Sequence, residues 1–129
     1  MRLKLEPASP IPMYLQIVEQ VRHAIAAGTL QPDDELPSVR ALAATYLINP
    51  NTVAQAYLEL EREGLLSKRR GAGTYVSAAA AALGERHRVL AVRALLDKAF
   101  TAAAEFGLTI SQVRALVDQQ LAAAKEKSA

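Results

Sequence analysis

Two short apolar stripes, only a few residues apart, constrain the fold of this chain more than any other feature of its sequence. Each stripe has the i, i+3, i+4, i+7 spacing of one buried face of an α-helix. The stripes are Val39, Leu42, Ala43 and Tyr46, then Val53, Ala56, Tyr57 and Leu60. Ser38 is a good N-cap for the first helix, and Asn49 followed by Pro50 begins the second after a turn at Leu47–Ile48. The pattern therefore predicts two short helices joined by a tight turn, with Gly64 ending the second.

Proline and glycine divide the rest of the N-terminal half. An amphipathic helix is predicted between Pro12 and Gly28, where apolar residues recur every three to four positions. A polar connector, Thr29–Pro37, follows it. After the helix pair, Leu65–Ser77 predicts a β-hairpin, because two short apolar runs flank a basic turn that contains glycine. The alanine run Ala78–Ala82 is either a linker or the first turn of a fourth helix.

The C-terminal part predicts two further helices. The first runs over Leu83–Phe106 and ends at Gly107, and its apolar residues are spaced 3, 4, 3, 4, 3 as in a heptad seam. The seam residues are Val89, Val92, Leu96, Ala99, Ala103 and Phe106. Thr109 and Gln112 form a T-x-x-Q capping box for the last helix, and the tail Lys125–Ala129 is expected to fray.

Composition excludes several classes of function. The absence of cysteine removes disulfides, thiolate nucleophiles and cysteine-ligated zinc, and it suits a reducing cytoplasm. The two histidines lie on different predicted helices without metal-ligand spacing, and no phosphate-binding loop or nucleophile–base arrangement is present. Glu59, Glu61 and Glu63 mix helix faces and are expected to be solvated. No stretch is long and apolar enough to span a membrane. We expect no enzyme activity, no metal, no cofactor and a cytoplasmic location.

The exposed start of the third helix carries the first candidate binding residues. Because the apolar stripe is buried, Asn49, Asn51, Thr52 and Gln55 are left facing outwards. Asparagine and glutamine can pair bidentately with adenine in a major groove, so uncharged polar side chains here suit base edges. For Asn49, capping the helix is favoured over DNA contact, and Asn49 stays among the candidate DNA-binding residues. Capping needs only one such residue, so the other three are expected to contact DNA.

The hairpin turn is the densest positive charge in the chain. Lys68, Arg69 and Arg70 repel one another unless an anion approaches, and a phosphate backbone is such an anion. Gly71 and Gly73 let the backbone come close to a groove wall. Taken alone, the run is equally compatible with a solvated turn. Its position directly after two tightly joined helices favours DNA.

The second helix adds two polar residues at its start. Arg40 lies off the buried face, and Ser38 with the helix N-terminus can meet a phosphate through backbone N–H groups. We include both among the candidate DNA-binding residues.

The stretch from Pro12 to Ser77 resembles the winged helix-turn-helix domain of GntR-type bacterial transcription regulators. Leu36–Ala43 is similar to the second-helix motif of that family, and Arg70–Val76 is similar to its wing. Its recognition helix is matched by Asn49–Val53 with Ala56–Glu61 and Gly64–Leu65. The three motifs occur in the family's order and cover about half of the chain. The resemblance implies that operator DNA lies against Arg40, the recognition-helix start and the wing glycine.

One departure from the family affects base readout. Members often carry an arginine in the first turn of the recognition helix and another a turn later, where this chain has Pro50 and Ala54. Readout is therefore expected to depend more on Asn51, Gln55, Thr52 and Arg40.

The short C-terminal part resembles the YtrA-like subfamily, whose tails mediate dimerisation. Residues 78–129 are too few for a larger effector domain and leave little room for a pocket of ordinary ligand size. A lone helix hairpin cannot bury two apolar faces, which favours a homodimer over packing of the seam on the chain's own last helix alone. The residues expected to dimerise are Val89, Val92, Leu96, Ala99, Phe100, Ala103, Phe106, Val113 and Val117.

These observations predict a mainly α protein with a small β-wing. Residues 1–77 are expected to form a winged helix-turn-helix domain, and residues 78–129 a two-helix dimerisation tail. The predicted function is sequence-specific binding of double-stranded operator DNA by a homodimeric repressor. An alternative of another class is a protein-interaction module that uses the basic hairpin and the apolar seam. Whether a small-molecule effector exists stays open.

Overall fold

The computed structural model describes residues 1–128 and confirms a mainly helical chain with one small hairpin. The elements in chain order are α1 Met13–Ala26, α2 Val39–Tyr46, α3 Pro50–Arg62, β1 Leu66–Arg69, β2 Gly73–Val76, α4 Ala80–Glu105 and α5 Ile110–Ser128. The two strands pair antiparallel, with Leu66 opposite Val76 and Arg69 opposite Gly73. The described residues divide into two compact units, Met1–Val89 and the part from Leu90 onward. In residues 1–128 no helix has the length and hydropathy that a membrane span requires.

Side-chain caps begin both helices of the predicted pair. The Ser38 Oγ accepts a hydrogen bond from the Ala41 N–H at 3.1 Å, and the Asn49 Oδ1 accepts one from the Asn51 N–H at 2.8 Å. Between the helices, Leu47 adopts a left-handed backbone conformation with φ of 54°. This single reversal ends α2 and allows α3 to begin at Pro50. The predicted helix-turn-helix is confirmed.

The core of the first unit is built from the predicted stripes. In α3 all four stripe residues are buried, and the hairpin contributes Leu66 and Val76. In α1, the adjacent residues Ile17 and Val18 are both fully buried. Ala80 at the start of α4 is also fully buried in this core. The first unit therefore continues past the hairpin into α4, while a functional division at residue 77 stays a prediction.

The connector, residues 29–37, pairs with the outer edge of the hairpin. The Asp33 N–H donates to the Val76 carbonyl at 2.9 Å, the Val76 N–H donates to the Asp34 carbonyl at 2.8 Å, and the Leu36 N–H donates to the Thr74 carbonyl at 2.9 Å. Sequence reasoning treated this segment only as a polar connector. It instead holds β2 from the side opposite β1.

The two C-terminal helices follow their predicted caps. The Thr109 N–H donates to the Gln112 Oε1 at 2.8 Å and the Gln112 N–H donates to the Thr109 Oγ1 at 3.1 Å, which is the predicted capping box. The alanine run supplies the first turn of α4, which begins at Ala80. The prediction of a frayed tail is wrong for residues 125–128, which continue α5, and Ala129 lies outside the described residues.

Candidate nucleic-acid interface

The start of α3 is exposed on the side away from its buried stripe. Asn51 and Gln55 are exposed, and Thr52 is half-buried. Pro50 and Ala54, where family members often carry arginine, are exposed as well. This face therefore offers amide and hydroxyl groups without a charge, which are groups that can hydrogen-bond to base edges.

Asn49 is used by the helix itself. Its side-chain oxygen accepts the Asn51 N–H at 2.8 Å. A bidentate contact with adenine needs both the oxygen and the nitrogen of the amide. Because one acceptor position of the Asn49 oxygen is used to cap α3, the geometry agrees with the capping role that the sequence favoured.

Tyr57 fixes α3 against the start of α2. Its ring is buried, and its hydroxyl donates a hydrogen bond to the Pro37 carbonyl at 2.7 Å. Burial away from water raises the pKa of Tyr57 to about 12, because the charged phenolate loses its hydration. The hydrogen bond ties α3 to the residue just before the α2 N-cap. It therefore helps to set the relative placement of the two candidate DNA-contacting helix starts.

An ion pair holds the other end of α3. The Arg22 Nε donates to the Glu63 Oε1 at 2.9 Å, and the Arg22 Nη2 donates to the Glu63 Oε2 at 2.8 Å. The hydrogen bonding of Arg22 to the Glu63 carboxylate is the largest cause of a raised pKa of Arg22. The expectation that Glu63 is solvated is wrong, because it anchors the C-terminal end of α3 to α1. Glu61 is also partly buried, beside Lys68.

The wing consists of β1, β2 and the turn Arg70–Ala72, and two of its three cations are already paired. Arg69 forms an ion pair with Asp33 of the connector, and its guanidinium carbon lies 4.0 Å from the centre of the Tyr75 ring. The Lys68 Nζ lies 3.8 Å from the Glu61 Oε1, although the Lys68 side chain is 72% exposed. The premise that these three cations lack a carboxylate within the chain is therefore wrong for Arg69 and Lys68.

Arg70 and Arg40 have no ion pair or side-chain hydrogen bond to any residue between 1 and 128, and both are exposed. Gly71 beside Arg70 has φ of 74° with no atom within 4 Å of the position that a Cβ would occupy. An open backbone at the wing tip suits close approach to a groove wall. Gly73 has φ of 104°, a backbone conformation that other residues rarely adopt, so this position favours glycine. A Cβ there would also lie 3.1 Å from the Glu35 Oε1, which is the end of an exposed, flexible side chain.

Ser38 is exposed at the N-terminus of α2, where its hydroxyl oxygen caps the helix. All the predicted DNA-binding residues lie in the first unit, Met1–Val89. The structure brings Asn49 and Asn51 into direct contact, and it places Arg69 and Arg70 next to each other on the wing. Asp33 and Tyr75 belong to the same surface, although sequence reasoning did not select either of them.

The predicted dimerisation residues are mainly exposed within this single chain. The exposed ones are Val89, Val92, Leu96, Ala99, Phe100, Phe106 and Val117, while Ala103 and Val113 are half-buried. In the second unit, Phe100, Ala103, Leu108, Val113, Arg114 and Val117 line an apolar groove of about 450 Å³ between α4 and α5. The groove has the volume of ordinary ligand sites, so the expectation of little room for a pocket is wrong.

Residues 1–128 contain no cluster of three or more histidine, cysteine, aspartate or glutamate side chains that could hold a metal ion. The arrangement that remains is an exposed polar helix start, a basic wing tip and unpaired cations. Such groups can hydrogen-bond to base edges and contact phosphates.

Comparison with known proteins gives the family. Residues 13–76 match the bacterial regulatory proteins of the gntR family. The chain is 39% identical over 98 residues to an uncharacterized HTH-type transcriptional regulator, YhcF of Bacillus subtilis, a match that spans 76% of this chain and 80% of that protein. The chain belongs to the GntR family. The resemblance of the three sequence motifs to GntR regulators is thereby confirmed, and these GntR relatives are transcription regulators rather than enzymes.

Further similarities lie within the GntR family. The chain is 48% identical over 75 residues to the HTH-type transcriptional repressor YtrA of Bacillus subtilis, and the match spans 58% of each chain. That similarity agrees with the predicted YtrA-like assignment. A transcriptional regulator from Oenococcus oeni has a similar structure, with a TM-score of 0.78 and 30% identity over 91% of this chain and 97% of that one. The DNA-binding domain of AraR, solved with operator ORX1, matches 60% of this chain with a TM-score of 0.53 and 27% identity.

Proposed function

We propose that this GntR-family chain is a homodimeric repressor that binds a pseudo-palindromic operator with the start of α3 and the tip of the wing. The observation that carries the proposal is the α3 start, where Asn51 and Gln55 are exposed opposite a completely buried stripe. Residues at the N-terminus of the second helix of a helix-turn-helix contact base edges, and asparagine and glutamine side chains there can pair bidentately with adenine. A cytoplasmic location, where the bacterial chromosome lies, is part of the same proposal.

Phosphate contacts are assigned to the cations that have no carboxylate partner. Arg40 and Arg70 are exposed and unpaired among the described residues, and Lys68 is held only loosely by Glu61. The AraR domain, which has a related fold, was solved on an operator, and this supports placing DNA on the corresponding elements. Phosphate contacts orient such a domain on the duplex, while the α3 start supplies the sequence preference.

The dimer is assigned to the C-terminal helices. Leu96 and Phe100 of α4 are about half exposed, and Leu121 of α5 is 63% exposed. Large apolar side chains left in contact with water over two helices mark an interaction surface rather than a free face. A second copy is the occupant we propose, because two-fold symmetry places two recognition helices on successive half-sites.

Selection of bound sequences from random duplex DNA tests the proposal. We expect an enriched sequence with two-fold symmetry, and its absence would refute operator binding. On the selected site, Asn51→Ala and Gln55→Ala should each lose about 1–3 kcal/mol, with little loss on random DNA. Gln119→Ala, an exposed glutamine of α5, is the matched control and should change neither affinity.

Salt dependence tests the electrostatic part. Among the candidate DNA contacts, each subunit has two fully unpaired cations, Arg40 and Arg70, with Lys68 as a third, which gives four to six phosphate contacts in a dimer. We therefore expect log K to fall against log[salt] with a slope of about −4 to −5. A slope near zero would favour a protein-interaction module instead. So would a protein that binds another protein through its apolar seam but does not bind DNA.

A further inference from the structure

Arg69 of the wing occupies a site that the chain builds for it. Its guanidinium forms an ion pair with Asp33 on one side and lies 4.0 Å from the centre of the Tyr75 ring on another. The Tyr75 hydroxyl donates a hydrogen bond to the Ala72 carbonyl at 2.9 Å, inside the wing turn. We call Asp33, Arg69 and Tyr75 the wing clasp. It links the connector, β1 and β2 at the base of the turn.

The carboxylate of the clasp is held in place by backbone pairing. Asp33 has φ of 72°, a left-handed conformation that aspartate tolerates better than most residues. Its N–H donates to the Val76 carbonyl at 2.9 Å, and the Val76 N–H returns to the Asp34 carbonyl at 2.8 Å. These bonds fix the backbone from which the Asp33 carboxylate extends to Arg69. The ring of Tyr75 in the facing strand then favours a flat, stacked guanidinium over a mobile ammonium.

We infer that Arg69 is a positioning residue of the proposed DNA interface and that Arg70 is the wing-tip cation that contacts DNA. Arg69 forms its ion pair with Asp33 and holds the turn at a fixed angle, so that Arg70 and Gly71 contact the DNA together. The inference rests on the proposed function, since it divides the wing cations between two tasks at that interface. Sequence reasoning had assigned both arginines to phosphate contact.

Substitution of Asp33 separates the two roles by the sign of its effect. Asp33→Asn removes a negative charge but keeps the size of the side chain and its tolerance of positive φ. If Arg69 contacted phosphate, the loss of Asp33 would free a cation and tighten DNA binding. If Arg69 positions the wing, the loosened turn should weaken operator binding by about threefold to tenfold, which is the range expected for a partly exposed ion pair with an aromatic contact.

Asp34→Asn is the matched control, because it removes the same charge from the neighbouring residue. The Asp34 Oδ2 accepts the Gln31 N–H at 2.8 Å, a bond that an asparagine oxygen can also accept. We expect Asp34→Asn to leave affinity unchanged or to tighten it slightly. The comparison of the two variants therefore cancels the long-range effect of charge.

The salt slope provides a readout that a merely structural role would not change. Arg70→Gln should lower the magnitude of the slope by about 1.8 in a dimer, since each lost phosphate contact removes about 0.9. Arg69→Gln should weaken binding but leave the slope as in the wild type. Without DNA, Arg69→Gln should also speed hydrogen exchange at the Ala72 amide, which donates to the Arg69 carbonyl at 2.9 Å across the turn.

The outcomes are distinct. Weaker binding by Asp33→Asn than by Asp34→Asn, with an unchanged slope for Arg69→Gln, supports the inference. Tighter binding by Asp33→Asn, or equal losses of slope for Arg69→Gln and Arg70→Gln, overturns it while leaving operator binding intact. Failure of the wild-type protein to select any DNA sequence refutes the proposed function itself.

Discussion

The hydroxyl of Tyr57 offers a test of how α2 and α3 are held together. Tyr57→Phe removes the hydrogen bond to the Pro37 carbonyl, which is 2.7 Å long, and keeps the buried ring. The carbonyl then loses its partner at a site that water reaches poorly. Leaving a buried acceptor unpaired costs about 1–3 kcal/mol. In a unit of this size, each kcal/mol lowers the melting temperature by about 4–8 °C, so we expect a loss of at least about 4 °C.

The pH dependence of stability isolates the same group. Its pKa is 10.0 in the unfolded reference and about 12 in the folded protein. Because the folded pKa is raised, the folded state keeps a proton that the unfolded state has released between those values. The stabilisation is complete below pH 10 and is lost as pH rises towards 12, with a slope that approaches about 1.4 kcal/mol per pH unit. Tyr57→Phe cannot titrate there, so its stability curve should lack this component.

Urea denaturation followed by circular dichroism, at intervals from pH 8 to pH 11.5, measures both effects. The free energy of unfolding of the wild type minus that of Tyr57→Phe should be constant below pH 10 and should shrink above it. Tyr75→Phe is the control, because its hydrogen bond joins two residues of the exposed wing turn. A Tyr57→Phe variant as stable as the wild type, with an unchanged alkaline slope, would refute the reasoning that this hydroxyl is buried and paired.

Three further substitutions follow from the structure. Leu47→Gly should stabilise the first unit by about 0.5–1 kcal/mol in urea denaturation, because Leu47 is 91% exposed and has positive φ, and a loss of stability would contradict this. Glu63→Gln should lower the free energy of unfolding by about 1 kcal/mol, because it weakens the ion pair with Arg22. Salt should reduce this loss, so a loss that stays the same at high salt would argue against an ionic origin. Leu96→Glu should give a monomer by sedimentation with about 10²–10⁴ lower operator affinity, whereas Ala94→Glu off the seam should stay dimeric; a dimeric Leu96→Glu would move the interface elsewhere.

Features of the fold that depend on near neighbours in sequence were predictable. Ser38, Asn49 and Thr109 cap their helices through hydrogen bonds to residues two or three positions later, and residue type alone selects them. The stripe of α3 was predictable for the same reason, since helical periodicity decides which residues share a face. The start of α4 was left open because alanine suits both a helix and a linker.

Pairs distant in sequence were not predictable. Arg22 and Glu63 lie 41 positions apart, and Asp33 and Arg69 lie 36 apart. Each of these residues looks like an ordinary solvated charge in its own segment. Only the packing of α1 on α3, and the pairing of the connector with β2, brings the opposite charges together. The family resemblance could not supply them either, because each of its motifs is a short segment and none names a pair of residues in different segments.

This limit matters most for the electrostatics of the interface. Sequence reasoning counts cations, whereas DNA responds to the cations whose charge is not already satisfied within the protein. Asp33 satisfies Arg69, and Glu61 partly satisfies Lys68, so Arg70 becomes the dominant charge of the wing. Fewer free cations mean less non-specific affinity for phosphate and a smaller salt slope. On the proposed interface, discrimination between sequences is then expected to depend more on Asn51 and Gln55. We therefore expect that weakening the wing reduces affinity on every DNA sequence before it reduces preference for one.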